Sequence, residues 1–169
     1  IQGANTEATA DRIYICEKEG VTLSCPESAQ YQWTAEPADA SLQGIDNTNS
    51  PTVHPNETTI YHITITDENG CIASDTIKIW VVPLVNARIS LKPRRTTLTN
   101  TNVTYEDMTI DGYSRLWDFG DGNTSTERIG IESFPTADTG TYVVRLIAFN
   151  QANCPDTAYD TVSVVPDFT

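Results

Sequence analysis

The sequence predicts an all-β protein made of two β-sandwich domains in tandem, on three observations. Threonine, β-branched and suited to pleated surfaces, outnumbers serine by 25 to 10. Apolar residues recur with a period of two, not 3.6, in Tyr61-His62-Ile63-Thr64-Ile65-Thr66, Thr76-Ile77-Lys78-Ile79-Trp80 and Tyr142-Val143-Val144-Arg145-Leu146-Ile147. The halves also share landmarks: Trp33 and Trp117 lie 84 positions apart, Tyr61 and Tyr142 81, Cys71 and Cys154 83, and Pro83 and Pro166 83. A common spacing of this size marks tandem domains. The boundary is expected just after Trp80-Val81-Val82-Pro83, giving domains 1–84 and 85–169. Each is within the range in which sandwiches fold.

Strands of the first domain are expected near Arg12–Cys16, at Val21–Cys25, Tyr31–Thr34, around Pro51–His54, and at Thr59–Asp67 and Cys71–Val82. Those of the second are expected at Ala87–Leu91, Val103–Met108, Ser114–Phe119, Thr141–Phe149 and Thr157–Val165. Turn signals punctuate them: Asp67-Glu68-Asn69-Gly70, Asp111-Gly112, Gly120-Asp121-Gly122 and Asp138-Thr139-Gly140. No segment reads as an amphipathic helix longer than a turn or two. Short, regularly spaced strands around one central Trp per domain describe an immunoglobulin-like sandwich.

Charge and length exclude several function classes. With 23 acids against 10 bases the net charge is -13, so no basic stripe exists to displace counterions from nucleic-acid phosphates. Residues 1–84 hold 12 acids and 3 bases, net -9, and residues 85–169 hold 11 and 7, net -4. No apolar run approaches the roughly 20 residues that span a bilayer, so membrane insertion is not expected. The chain opens Ile1-Gln2-Gly3-Ala4 with neither a start methionine nor a signal-peptide apolar stretch, and is expected to be a processed form or a fragment.

The run Trp117-Asp118-Phe119-Gly120-Asp121-Gly122, followed about 20 residues on by Gly140-Thr141-Tyr142-Val143-Val144, resembles the PKD domain family, with its Ig-like β-sandwich. The resemblance covers residues 86–166. Trp117 is expected to fill the core, and Gly-Asp-Gly to make a tight turn that needs positive φ. Asp138-Thr139-Gly140-Thr141-Tyr142 resembles a tyrosine corner, whose hydroxyl bonds back to upstream backbone. The first domain is similar to a divergent relative, the Ig-like repeats of long Bacteroidota surface proteins. It matches through Ile15-Cys16-Glu17, Val21-Thr22-Leu23, Tyr31-Gln32-Trp33, Thr59-Ile60-Tyr61 and Asp67-Glu68-Asn69-Gly70-Cys71, although Gln32-Trp33-Thr34-Ala35 stands where WDFGDG would. Trp33, Trp117, Tyr61 and Tyr142 are thus the structural landmarks. The resemblance implies gliding-motility adhesins and other proteins of the type IX export route, in which such modules act as spacers.

Four cysteines in an extracellular-type β chain predict disulfides, with three connectivities to rank. In a sandwich the strands at Val21–Cys25 and Thr59–Asp67 end together, and those at Arg12–Cys16 and Cys71–Val82 run the other way. Cys25 and Cys71 then share one end of the first domain. Cys16 sits at its other end, facing the second domain, and Cys154 opens the last strand of that domain, facing the first. Cys25–Cys71 and Cys16–Cys154 are the spatially sensible pairs; the alternative is Cys16–Cys71, both of which belong to the repeat motif the first domain resembles. The cysteines lack zinc spacing.

Catalysis is not expected. Only His54 and His62 are of a residue type suited to serve as a base near neutrality; His62 alternates with Tyr61 and Ile63 and should face solvent, and no nucleophile elbow or Cys-His pairing is present. No cofactor is expected. Calcium at Asp118 and Asp121 is the strongest chemical alternative, since oxygen-rich loops suit a hard cation, set against a role for both acids in capping the turn. Asn56-Glu57-Thr58, Asn102-Val103-Thr104 and Asn123-Thr124-Ser125 are N-glycosylation acceptors in a eukaryotic secretory route. Thr76, Thr157 and Thr161 follow Asp as in the sites Bacteroidota glycosylate. Trp80 is the exposed aromatic for a glycan, or else packs against the second domain.

The expected function is a non-catalytic spacer or adhesion module of a larger exported cell-surface protein, extending a binding or anchoring region from the cell. Its partners are neighbouring domains of the same chain, with protein or surface-glycan contacts. The alternatives are an accessory segment of a secreted hydrolase, or a subunit of a surface filament or secretion machine.

Overall fold

The structure is a computed structural model and describes residues 5–167. The chain divides after Pro83 into two compact units, each all-β. In the first, β1 (Thr9–Ala10), β3 (Val21–Ser24) and β5 (Thr52–Val53) form one sheet in the order β1-β3-β5. The other runs β2-β7-β6-β4, from β2 (Tyr14–Cys16), β4 (Gln30–Glu36), β6 (Thr59–Thr66) and β7 (Ile72–Val82). The alternation that predicted β6 is realised: Thr59, Tyr61, Ile63 and Ile65 are buried and the residues between them are not. Side chains of both sheets meet in one core of Ile15, Val21, Leu23, Trp33, Val53, Tyr61, Ile63 and Ile79. Trp33 is buried with its indole N–H satisfied by the Thr48 carbonyl at 2.9 Å.

The second unit repeats the plan. One sheet, β13-β10-β8, is built from β8 (Ile89–Lys92), β10 (Asn102–Asp107) and β13 (Ile129–Ser133). The other has the order β12-β11-β14-β15-β9, from β9 (Arg95–Thr97), β11 (Ser114–Asp118), β12 (Thr124–Ser125), β14 (Gly140–Phe149) and β15 (Pro155–Val165). Trp117 is fully buried and its indole N–H donates to the Glu127 carbonyl at 3.0 Å. Tyr105 packs with ring centroids 5.1 Å from Trp117 and 4.8 Å from Phe119, an aromatic cluster at the centre of the core. The buried Asp107 carboxylate is balanced by Arg115 at 2.7 Å and by the Thr109 N–H at 2.9 Å, as a buried charge requires.

Strands β1, β9, β12 and β13 had no counterpart in the sequence reading. β1 and β12 are two residues long, too short for a period to show, and Arg95-Thr96-Thr97 carries no apolar alternation. In β13 the pattern is inverted: Ile129 and Ile131 are 56 and 67% exposed while Gly130 and Glu132 point inward. Gly130 leaves the space occupied by the Tyr105 hydroxyl, which lies 2.4 Å from where a Cβ would stand. An inward charge on an edge strand discourages further strand pairing.

The Gly120-Asp121-Gly122 turn separates two glycine requirements. Both residues have positive φ, +76 and +100, but a Cβ on Gly120 would also stand 2.6 Å from the Val143 carbonyl oxygen, whereas one on Gly122 meets nothing. Gly122→Ala should cost about 1 kcal/mol and Gly120→Ala about 3 kcal/mol. In thermal unfolding of the second unit, each 1 kcal/mol is worth roughly 4–8 °C. Equal shifts for the two variants would refute the clash.

Candidate functional site

In each unit an incoming segment is tied to the outgoing strand. The outgoing strands β7 and β15 are the longest elements, and each pairs on one side with the preceding strand of its hairpin, β6 or β14. On its other side β7 pairs in parallel with β2, joining Tyr14, Ile15 and Cys16 to Trp80, Val81 and Val82. β15 does the same with β9, joining Arg95, Thr96 and Thr97 to Ser163, Val164 and Val165. Near the start of each outgoing strand an Asp takes the backbone of the incoming segment. The Ala8 N–H donates to Asp75 Oδ2 and the Ala87 N–H to Asp156 Oδ2, both at 2.7 Å. The Ala8 N–H, and then that of Thr76, hold the Asp75 carboxyl below the usual carboxylate range. Sequence reading missed this role; its signal was the 81-residue spacing of Asp75 and Asp156, the same as that of Tyr61 and Tyr142.

The hairpin turns before the outgoing strands are also duplicates. Asp67 Oδ1 accepts the N–H groups of Asn69 and Cys71, each at 2.8 Å, and Asn150 Oδ1 those of Ala152 and Cys154, each at 2.9 Å. The Asp67 N–H donates to the Cys71 carbonyl at 3.0 Å, and the Asn150 N–H to the Cys154 carbonyl at 3.1 Å. Gly70 and Asn153 take the left-handed position, with φ of +81 and +63.

The cysteines part company with one expectation. Cys25 and Cys71 are free thiols, so neither the Cys25–Cys71 nor the Cys16–Cys71 bridge is formed. Cys25 follows β3 in one sheet and lies 3.6 Å from the Asn49 carbonyl, while Cys71 closes a turn of the opposite sheet; a shared end of the sandwich does not bring the sulfurs together. Burial pushes the Cys25 thiol up. Cys16 is disulfide-bonded, and in the second unit so is Cys154.

The tyrosine corner expected at Tyr142 is not made. The ring packs on Phe134 with centroids 4.9 Å apart, and among the described residues its hydroxyl has no hydrogen-bond partner. Tyr142 is half-buried near the start of β14, with its ring against that of Phe134. In the first unit, Tyr61 is buried and its hydroxyl donates to Asp39 Oδ2 at 2.5 Å. Burial, and then Asp39, push that hydroxyl far up, so it stays a donor.

Asp118 and Asp121 act on their own turn. Asp118 Oδ1 accepts the Gly120 N–H at 3.0 Å and its Oδ2 pairs with Arg145 at 3.1 Å; Asp121 Oδ1 accepts the Asn123 N–H at 2.9 Å. Among the described residues they belong to no close-set trio of His, Cys, Asp or Glu ligand atoms. Asn123 Nδ2 bridges Asp121 Oδ2 at 3.2 Å to Glu132 Oε1 at 2.8 Å, and burial, then the Asp121 charge, raise the Glu132 carboxyl.

Of the histidines, His54 is exposed beside Gly20, and His62 is half-buried on the outward face between Thr34 and Thr76. Thr76, Thr157 and Thr161 are exposed on the outgoing strands. The acids before them are occupied, Asp75 and Asp156 as above and Asp160 with Arg94 at 2.8 Å. Trp80 is 41% exposed, lies with its ring 6.2 Å from that of Tyr14, and has Lys78 Nζ 3.8 Å from its centroid. No helix among the described residues is long and apolar enough to cross a membrane.

No protein-family model matches the chain, and a search of the curated proteins returns no match. Its structural neighbours include PKD domains and Ig- and FnIII-like folds. The PKD1 domain of the Vibrio cholerae metalloprotease PrtV is 33% identical, over 46% of this chain and 93% of that one, with a TM-score of 0.39. The PKD1 domain of Vibrio anguillarum Epp is 25% identical over 49% and 95%, with a TM-score of 0.41. The fibronectin(III)-like modules of Clostridium thermocellum CbhA are 12% identical, cover 95% and 94%, and give a TM-score of 0.53, a likeness of fold.

Two measurements check these assignments. The lowered Asp75 carboxyl is a depressed folded-state group, so its contribution is present above its unfolded value, about pH 4, and is lost as pH falls through the folded value. Asp75→Ala should cost about 1 kcal/mol at pH 7, with the difference between wild type and variant shrinking as pH falls through the folded-state value. A constant difference across that range would remove the charge from the account. With Asp118 and Asp121 engaged by backbone and Arg145, calcium and a chelator should leave the Tm of the second unit unchanged; a calcium-dependent rise would reinstate the metal.

Proposed function

We propose that this chain is a non-catalytic, tension-bearing spacer or adhesion module of a larger exported cell-surface protein. The observation that carries the reading is the parallel pairing of incoming and outgoing strands in both units, β2 with β7 and β9 with β15. When the chain is pulled from its two ends, parallel neighbours slide along one another. The hydrogen bonds between them then load together in shear instead of opening one at a time. The Asp75 and Asp156 bonds to incoming backbone add a further tie beside the hairpin turns. The acidic balance of -13 keeps such modules soluble and mutually repelling.

On this reading residues 86–166 are a PKD domain and the first unit its Ig-like relative, as in Bacteroidota surface proteins of the gliding-motility type. Weak contacts with a protein or surface glycan fall to the outward face that carries Trp80 and Tyr14.

The expected Cys16–Cys154 bond belongs to the same proposal. Cys16 stands opposite Val82, at the outgoing end of the first unit, and Cys154 stands two residues before Asp156, at the incoming end of the second. A bond between them would limit bending where one unit follows the other. Non-reducing peptide mapping should recover the Cys16 peptide joined to that of Cys154; separate peptides would remove the bond from the proposal. The functional reading itself is tested by sequencing the parent gene outward from both ends. Further copies of the unit are the expected result. A neighbouring zincin helix, catalytic triad or pair of glycosidase acids would make these units the accessory arm of a hydrolase.

A further inference from the structure

We propose that Cys71 is a coupling cysteine, which forms a disulfide with a cysteine at the outgoing end of another sandwich unit seated against the incoming end of the first. The inference rests on the spacer reading and its Cys16–Cys154 bond. Its basis is the duplication of the hairpin turn. Cys71 and Cys154 are held by the same five-residue hydrogen-bond pattern, from Asp67 and Asn150 respectively, 83 positions apart. At the second position the cysteine is disulfide-bonded; at the first it is a free, half-buried thiol. The fold therefore uses this position for a disulfide once, and the first unit presents the same group without a partner.

Placement within the unit says where that partner must come from. The Cys71 turn leads into β7 four residues before Asp75, which holds the incoming Ala8. Cys71 therefore marks the end at which the chain arrives. The complementary position is that of Cys16, paired in register with Val82 at the end where the chain leaves. Its equivalent in the second unit is Thr97, paired in register with Val165 and, like Cys16, half-buried. Cys25, the other free thiol, has no duplicate and lies beside the Asn49 carbonyl with its thiol pushed up by burial. It is a structural thiol.

The chemistry is thiol–disulfide exchange with a small or protein disulfide as oxidant. The Cys71 thiolate attacks one sulfur of the oxidant and expels the other as a thiolate. The partner cysteine then attacks the Cys71 sulfur and expels the second thiolate. Two protein thiols lose two electrons and two protons, and one oxidant disulfide is reduced to two thiols.

The test uses the intact chain with oxidised glutathione as the probe. In the unmodified chain, mapping should find glutathione on Cys71 at least tenfold in excess over Cys25, with no covalent oligomer, because no thiol stands at the outgoing end. The variant Thr97→Cys supplies that thiol. It should form disulfide-linked head-to-tail oligomers whose mapped bond joins position 97 of one copy to Cys71 of the next, and Thr97→Cys combined with Cys71→Ser should abolish them. Preferential labelling of Cys25, no oligomer from a folded Thr97→Cys variant, or oligomers that survive Cys71→Ser would each overturn the proposal. Cys16 and Cys154 mapping to separate peptides would remove its premise; their bond intact with no Cys71 coupling would defeat this inference alone.

Discussion

The hydrogen bond from the Ala8 N–H to Asp75, repeated by Ala87 and Asp156 in the second unit, fixes the incoming chain to the outgoing strand. Most of the architecture is arranged around that strand. β7 pairs with β6 along eight residues and with β2 along three, and it brings Ile79 to the core. β15 pairs with β14 along ten residues and with β9 along three, and it brings Val162 and Val164. Because the incoming and outgoing strands are parallel neighbours, the two points at which a unit is tied to its surroundings lie at opposite ends of one short ladder. The proposed tension-bearing role depends on that arrangement and not on a pocket.

The rest of the molecule is consistent with that economy. Large buried polar groups are committed to structure: the Trp33 and Trp117 N–H groups to carbonyls, Tyr61 to Asp39, Asp107 to Arg115. Asp118 and Asp121, at the Gly120-Asp121-Gly122 turn, bind backbone N–H groups, and Asp118 also pairs with Arg145. Asp75, Asp118, Asp121 and Asp156 each organise nearby backbone, which short carboxylates do well.

How much of this was legible in the sequence follows from what physical signal each feature leaves. β6, β7, β14 and β15 were readable because half-buried strands alternate, and Trp33 and Trp117 because a single large ring centres each core. β9 and β13 were not, since Arg95-Thr96-Thr97 has no apolar member and β13 turns its isoleucines outward to make room for Tyr105. The Cys25–Cys71 pairing failed for a geometric reason: strand direction places two residues at one end of a sandwich but does not say which sheet each side chain faces. The corner expected at Tyr142 followed a motif, whereas the hydroxyl that is buried and bonded is that of Tyr61, whose partner Asp39 is 22 residues upstream and adjacent only in the fold. The duplicated turns and the Asp75 and Asp156 ties were present as spacings and became meaningful once their hydrogen bonds were seen.

The central claim, that the units are built to carry load through paired incoming and outgoing strands, is tested most directly by single-molecule pulling in two geometries. The chain is stretched once from its termini and once through attachment points on adjacent strands β6 and β7 at the open end of their hairpin. The account predicts a clearly higher unfolding force for the first unit when it is pulled from the termini, where the β2–β7 bonds are sheared together. Equal forces in the two directions, or a lower force from the termini, would contradict it.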